Sequence, residues 1–219
     1  MKGWPQMNAK EKDTKQKIVE VANHLFAEKG FSGTSVRDIA KEAGVNLSAI
    51  NYHFDNKENL YAQVFQQNHR WMEESIAHIG SDDTIDTKEF SWRVFDFFVN
   101  NGSPLLNTFK IFLNEKLDNI PDEAFSDCKG NMGPPGHEFF VKKIRQDVGE
   151  EVPYEGIHWA MRMIFGDIVH FGVMMNAPMM KEKIKNQPNF QPEEKKKSIY
   201  NLVEAMLDFL KANPDRWKS

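Results

Sequence analysis

The sequence predicts an all-α protein, and three observations carry that expectation. Apolar residues recur at helical spacing along most of the chain, glycines and prolines separate those stretches, and no alternating strand pattern or internal repeat appears. At 219 residues the chain has room for a small domain followed by a larger one.

Residues 1–12 are polar, contain a Trp4-Pro5 pair and read as a flexible arm. Asp13 with Gln16 makes a capping-box pattern, after which Ile18, Val21, Ala22 and Leu25 continue a helix that Gly30 ends. Ser35 with Asp38 starts a short second helix, buried along Val36, Ile39, Ala40 and Ala43 and closed by Gly44. Asn46 caps a third, whose inward residues are Ile50 and Phe54, and Asp55 or Asn56 caps a fourth. In the fourth, Leu60, Val64, Trp71, Met72, Ile76 and Ile79 keep the period as far as Gly80. That is roughly 34 Å of helix at ~1.5 Å per residue. Residues 80–87 form a loop, and further helices are expected over 88–101, 104–117, 137–148, 154–175 and 193–211. Ser103 and Pro104 would be a cap and a first-turn proline, and residues 128–136 a turn-rich break.

Composition narrows the function classes. The net charge of −4 by itself argues against a nucleic-acid partner, but its distribution is permissive. Up to Ala62 nine Lys/Arg face eight Asp/Glu, or +1, while the remainder has nineteen against twenty-four, or −5. A single cysteine, Cys128, excludes an internal disulfide framework and a cysteine-rich zinc site. With no leader pattern and no run of ~18 uncharged apolar residues, a soluble, cytoplasmic chain without a membrane partner is expected.

The second and third helices are each about two turns long and are joined by "EAGVN", the layout of a helix-turn-helix. With Ile50 and Phe54 inward, Leu47, Ser48, Ala49, Asn51, Tyr52 and His53 remain for a major groove and its walls. Small Ser48 and Ala49 allow close approach, Asn51 can pair with an adenine edge, and Leu47 or Ala49 can meet a thymine methyl. Tyr52 and His53 reach phosphates, as do Lys57, Thr34 and Ser35 at helix starts, where free N–H groups favour an anion. The same helices can also form a plain mini-bundle, with Tyr52 packed on its surface and His53 solvated.

The stretch "FSGTSVRDIAKEAGVNLSAINYHFDNKENLY" resembles the N-terminal domain of the tetracycline-repressor (TetR) family of bacterial regulators. The shared pattern is a Thr- or Ser-capped "VRDIA", then "EAGV", then "YHF" and a Lys opening the fourth helix. It covers about residues 14–62. The resemblance implies phosphate-contacting roles for Thr34, Tyr52, His53 and Lys57, and base-facing roles for Leu47, Ser48, Ala49 and Asn51. Leu47 stands where many members carry Lys or Arg, and Asn51 where many carry Tyr, so no relative's base preference carries over. The implied organisation is an arm over 1–12, a helix-turn-helix domain over 13–62 and a helical effector-binding and dimerisation domain over 63–219.

Residues 154–175 are apolar on nearly all sides, which in a chain this short points to a second subunit as one partner, with a central core helix in a monomer as the alternative. Residues 193–211 supply a second apolar stripe, and a four-helix interface between two copies would use Trp159, Ile164, Phe171, Leu202, Val203, Met206 and Leu210. Seventeen Phe and eleven Met suggest an adaptable lining for a hydrophobic or planar organic effector, with Phe95, Phe98, Phe109, Phe112, Met163, Asp167 and His170 as candidates. Individually these residues can equally be core, and Asp167 with His170 either faces a pocket or forms a satisfied buried pair.

Catalysis finds little support. "HEFFV" at His137 lacks the second histidine of a zinc-protease helix, His158 and His170 are poorly spaced for one metal, and no phosphate loop or nucleophile elbow appears. Cys128 in its Gly-rich loop is either a redox sensor or an incidental thiol. No enzyme, cofactor or metal is expected. The expected protein is a homodimeric repressor on a palindromic operator in double-stranded DNA, released by a small organic ligand. A regulator controlled by a partner protein and an activator are the alternatives.

Overall fold

A computed structural model describes residues 9–102, 106–110, 135–184 and 186–217. They are helical, with no strand among them. They divide into two compact units: residues 9–70 with 107–110, and residues 71–102 and 106 with the described part from 135 onward. The expected boundary at residue 62 lies within the first unit, inside its fourth helix.

In the first unit α1 (Ala9–Lys29) starts ahead of Asp13, inside the stretch expected to be an arm. Its face Ile18, Val19, Ala22, Leu25 and Phe26 is at most 4% exposed and packs on α2 (Val36–Ala43) and α3 (Leu47–Phe54). The fourth helix, α4 (Lys57–Gly80), adds Leu60, Tyr61 and Val64 to the same core. Tyr61 meets Phe26 edge-on at 4.9 Å and Phe31 at 5.2 Å, the offset geometry that aromatic quadrupoles favour. The first part of α4 is tied to α1 by polar side chains as well. Asn23 and Asn68 exchange amide hydrogen bonds at 3.0 and 3.2 Å.

In the second unit α5 (Thr87–Asn100), α6 (His137–Val148), α7 (Tyr154–Asn176) and α9 (Pro192–Ala212) share a core. Phe90 meets Phe140 edge-on at 4.7 Å, and Phe140 meets Phe165 at 5.7 Å. Lys143 is 1% exposed, and its ammonium donates to the carbonyls of Asp82 at 2.6 Å and Ile85 at 3.0 Å, which fixes the loop before α5. Asp86 then caps α5 by accepting from the Glu89 N–H at 2.8 Å. At the other end of α5 the Asn176 amide donates to Phe98 and Gly172 carbonyls. A Cβ on Gly102 would stand 1.7 Å from the Asn176 side chain, so only glycine fits there.

A short helix, α8 (Pro178–Ile184), and 3₁₀ turns at Pro188–Phe190 and Pro214–Trp217 were not anticipated, because pieces this short leave no periodic signal. The expected helix over 104–117 is described only at 106–110, which is helical. No single helix among the described residues is long and apolar enough to cross a membrane.

The structure corrects the reading of α7. Its Ile157, Ala160, Met161, Ile164 and Ile168 are all 0% exposed and packed inside their own subunit, while Arg162, Met163, Gly166 and His170 are exposed. Ile164, Val203 and Leu210, expected at a dimer interface, are likewise 0% exposed and belong to the subunit's own core. The buried side of α7 meets α5, α6, α8 and α9 of the same chain.

Candidate nucleic-acid interface

Two capped helices set the geometry. Ser35 Oγ accepts from the Asp38 N–H at 3.1 Å, and the Asp38 carboxylate accepts from the Ser35 N–H at 3.2 Å, a complete capping box. The Ser35 hydroxyl and N–H hold the Asp38 carboxyl below its ordinary range. Gly44 ends α2 in the left-handed region at φ 64°, which lets the chain turn at once into α3. Asn46 caps α3 by accepting from the Ala49 N–H and from the Ser48 hydroxyl, each at 2.8 Å.

Ile50 and Phe54, 1% and 4% exposed, anchor the back of α3. The opposite side presents Leu47 at 40%, Ser48, Asn51 and Tyr52 at 71% exposure, with Ala49 and His53 half-buried beside them. The Tyr52 and His53 rings meet edge-on at 5.1 Å. Between α3 and α4, Asp55 takes φ 63°, and the Asn56 N–H donates to the Phe54 carbonyl at 2.7 Å, a γ-turn. Asn56 caps α4, accepting from the Asn59 N–H at 2.7 Å, which decides between the two candidate caps.

Two of the residues assigned to phosphates have other partners. Thr34 is 1% exposed, and its hydroxyl donates to the carbonyls of Leu25 at 3.1 Å and Gly30 at 2.8 Å. The expectation of a Thr34 side-chain contact with phosphate is therefore corrected: that hydroxyl is turned inward, its one proton shared between two carbonyls at the end of α1. The Lys57 ammonium donates to Phe31 O at 2.8 Å and Thr34 O at 3.1 Å and lies 3.9 Å from the centre of the Phe31 ring. Lys57 ties the start of α4 to the loop before α2, a role for which the sequence held no local signal. Two of its three N–H donors are used, leaving the third for an outside acceptor.

Within the second unit the proposed effector residues are split between core and surface. Phe95 and Phe98, 2% and 0% exposed, are core, whereas Met163 is 46% exposed and His170 lies on the same outward side of α7. Phe109 is half-buried in the other unit, and Phe112, like Cys128, lies outside the described residues. Asp167 and His170 do not form a buried pair. Asp167 is half-buried, and burial raises its carboxyl, with Lys195 and His170 opposing. Burial likewise pushes the Lys195 amine down, and its nitrogen sits 3.3 Å from the centre of the Phe171 ring. Of the dimer candidates, Trp159 is half-buried against Phe209 and Trp217, Phe171 is half-buried under Lys195, and Leu202 and Met206 are half-buried on α9.

A trihelical head with an anchored, outward-facing third helix defines the class of helix-turn-helix DNA-binding domains. Residues 18–64 match the family model for bacterial regulatory proteins of the tetR family. The chain is 43% identical over 75 residues to YttP of Bacillus subtilis and 45% identical over 49 residues to IcaR of Staphylococcus aureus, a negative transcriptional regulator of the biofilm operon icaADBC. These matches span 32% and 22% of this chain, but only 36% of YttP and 26% of IcaR. The whole fold is similar to a TetR family transcription regulator from Marinobacter aquaeolei, with TM-score 0.63 at 17% identity over 92% of this chain and 97% of that one. It is also similar to the regulator FadR of Bacillus subtilis, solved with stearoyl-CoA, with TM-score 0.58 at 18% identity over 89% and 96%.

Proposed function

We propose that the protein is a homodimeric transcriptional repressor that binds an inverted repeat in double-stranded DNA and releases it when a small apolar ligand occupies the second unit. The observation that carries the DNA-binding reading is α3, with Ile50 and Phe54 buried behind and Leu47, Ser48, Asn51 and Tyr52 exposed in front. Asn51 and Leu47 face base edges, while Tyr52, His53, Ser35 and the third donor of Lys57 meet phosphates.

Two copies would place their third helices in successive major grooves, about 34–36 Å apart. The outward side of α7 and α9, with Trp159, Met163, Leu202 and Met206, is the surface for the second copy. The aromatic and methionine content of the second unit and the stearoyl-CoA bound by FadR support an apolar effector. Such a ligand acts through its differential affinity for two conformers, typically 1–3 kcal/mol. The helix α4 spans the boundary between the units and would carry the change to Lys57.

Selecting bound duplexes from a random pool tests the reading. An inverted repeat is expected to emerge, with affinity that falls as salt rises. A pool that stays random through successive rounds would overturn it.

A further inference from the structure

The starts of α6 and α7 bring together two imidazoles and a phenol that no part of the DNA-binding reading uses. His137 opens α6, Tyr154 opens α7, and His158 follows one turn later. The ring centres of His137 and His158 lie 5.3 Å apart, and the Tyr154 hydroxyl lies 3.4 Å from His137 Nε2. Tyr154 and His158 stack at 5.7 Å and 24°. Tyr154 is 50% exposed, so the cluster is open to solvent.

These separations fit edge-on ring contacts and equally fit a shared ion. A tyrosine hydroxyl that hydrogen-bonds to an imidazole nitrogen sits at about 2.8 Å, well inside the observed spacing. Two donors bound tetrahedrally at about 2.0–2.1 Å stand about 3.3–3.4 Å from each other. Two imidazoles on one tetrahedral ion, each bound through a ring nitrogen at that distance, have ring centres about 5.2 Å apart. Both observed distances, 3.4 and 5.3 Å, fall at those values. Among the described residues no group of three His, Cys, Asp or Glu could hold a metal, and this cluster reaches three donors only by including a phenol.

We propose that His137, His158 and Tyr154 form a binding site for a tetrahedral divalent transition metal, Zn²⁺ foremost, with water as the fourth ligand. On binding, the Tyr154 phenol loses its proton to solvent and coordinates as phenolate. Nitrogen donors disfavour Mg²⁺, which takes oxygen ligands in octahedral geometry. The site would fasten α6 to α7 and stands independently of the DNA-binding reading.

Equilibrium dialysis of the full, tag-free chain against Zn²⁺ tests it. One saturable equivalent is expected, with a tyrosinate band in the ultraviolet difference spectrum and no response to Mg²⁺. His158→Ala and His137→Ala should each weaken binding by more than about tenfold. Tyr154→Phe should abolish the tyrosinate band, and His78→Ala should change nothing. Should either histidine variant fold poorly, NMR of the wild-type protein reads the same question, since Zn²⁺ should selectively shift the ring protons of His137 and His158. Absence of a saturable equivalent, binding that survives loss of both histidines, or unshifted His137 and His158 resonances at saturation would each overturn the site.

Discussion

The Lys57 ammonium and the Thr34 carbonyl are joined at 3.1 Å, and the Thr34 hydroxyl is itself bound to the Gly30 carbonyl at 2.8 Å. A chain of contacts thus runs from the end of α1, through the loop before α2, to the first residue of α4. Lys57→Ala removes two charge-assisted hydrogen bonds and the contact with the Phe31 ring, at a cost of about 1.5–3 kcal/mol. Urea unfolding measures that loss, and DNA affinity should fall for every sequence alike. Unchanged stability would show that the clamp carries no weight.

Thr34→Val separates structure from contact. The buried carbonyls of Leu25 and Gly30 lose their hydroxyl partner, which costs about 1–3 kcal/mol. At temperatures where the variant remains folded, its DNA affinity should equal that of the wild type. A loss of affinity without loss of stability would return Thr34 to the phosphate contacts.

Asn51 and Tyr52 differ in what they are expected to read. Asn51→Ala should relax preference at one base position of the selected operator by ~1–3 kcal/mol. Tyr52→Phe should lower affinity for all duplexes alike and leave the salt dependence unchanged, because a neutral phenol displaces no counterion. Titrating single-base operator variants with both proteins distinguishes the two patterns.

Asp167 supplies a pH dependence with a defined sign. Burial raises its folded carboxyl above the ordinary value of 3.8, so ionisation is disfavoured in the folded state. Its contribution to stability is fully present below 3.8 and is lost as pH rises through the raised folded value. Asp167→Asn should therefore raise the melting temperature at pH 7, with the gain vanishing below about pH 3.8. Thermal melts of both proteins across that range check it.

Met163 is 46% exposed on the outward side of α7, where the proposed second copy sits. Met163→Glu should weaken self-association, seen by sedimentation, and DNA affinity should drop with it because a single half-site is insufficient. A variant that stays dimeric would move the interface elsewhere.

Local chemistry was the legible part of this fold. Ser35, Asn46, Gly30 and Gly44 act on their own turns, and the spacing of Ile39, Ala43, Ile50 and Phe54 fixes which side of each short helix is buried. Long-range partners were not legible. Nothing near Thr34 or Lys57 in sequence shows that a hydroxyl and an ammonium are consumed by carbonyls as distant as Leu25 and Phe31. Periodicity also cannot tell a helix with four neighbours in its own subunit from one shared between copies, which is why Ile164, Val203 and Leu210 were misplaced. His137 and His158 sit on different helices, so their approach is a product of packing and not of spacing.

Thiol protection reads most directly whether the Leu47–Asn51 side of α3 is the surface that meets a duplex. In a Cys128→Ser background, Leu47→Cys, Asn51→Cys and Glu194→Cys are introduced one at a time, and the rate of thiol modification is compared with and without the selected operator. Saturating DNA should strongly slow modification at positions 47 and 51 and leave position 194 unchanged. Equal rates at 47 and 51 with and without bound DNA would contradict the account.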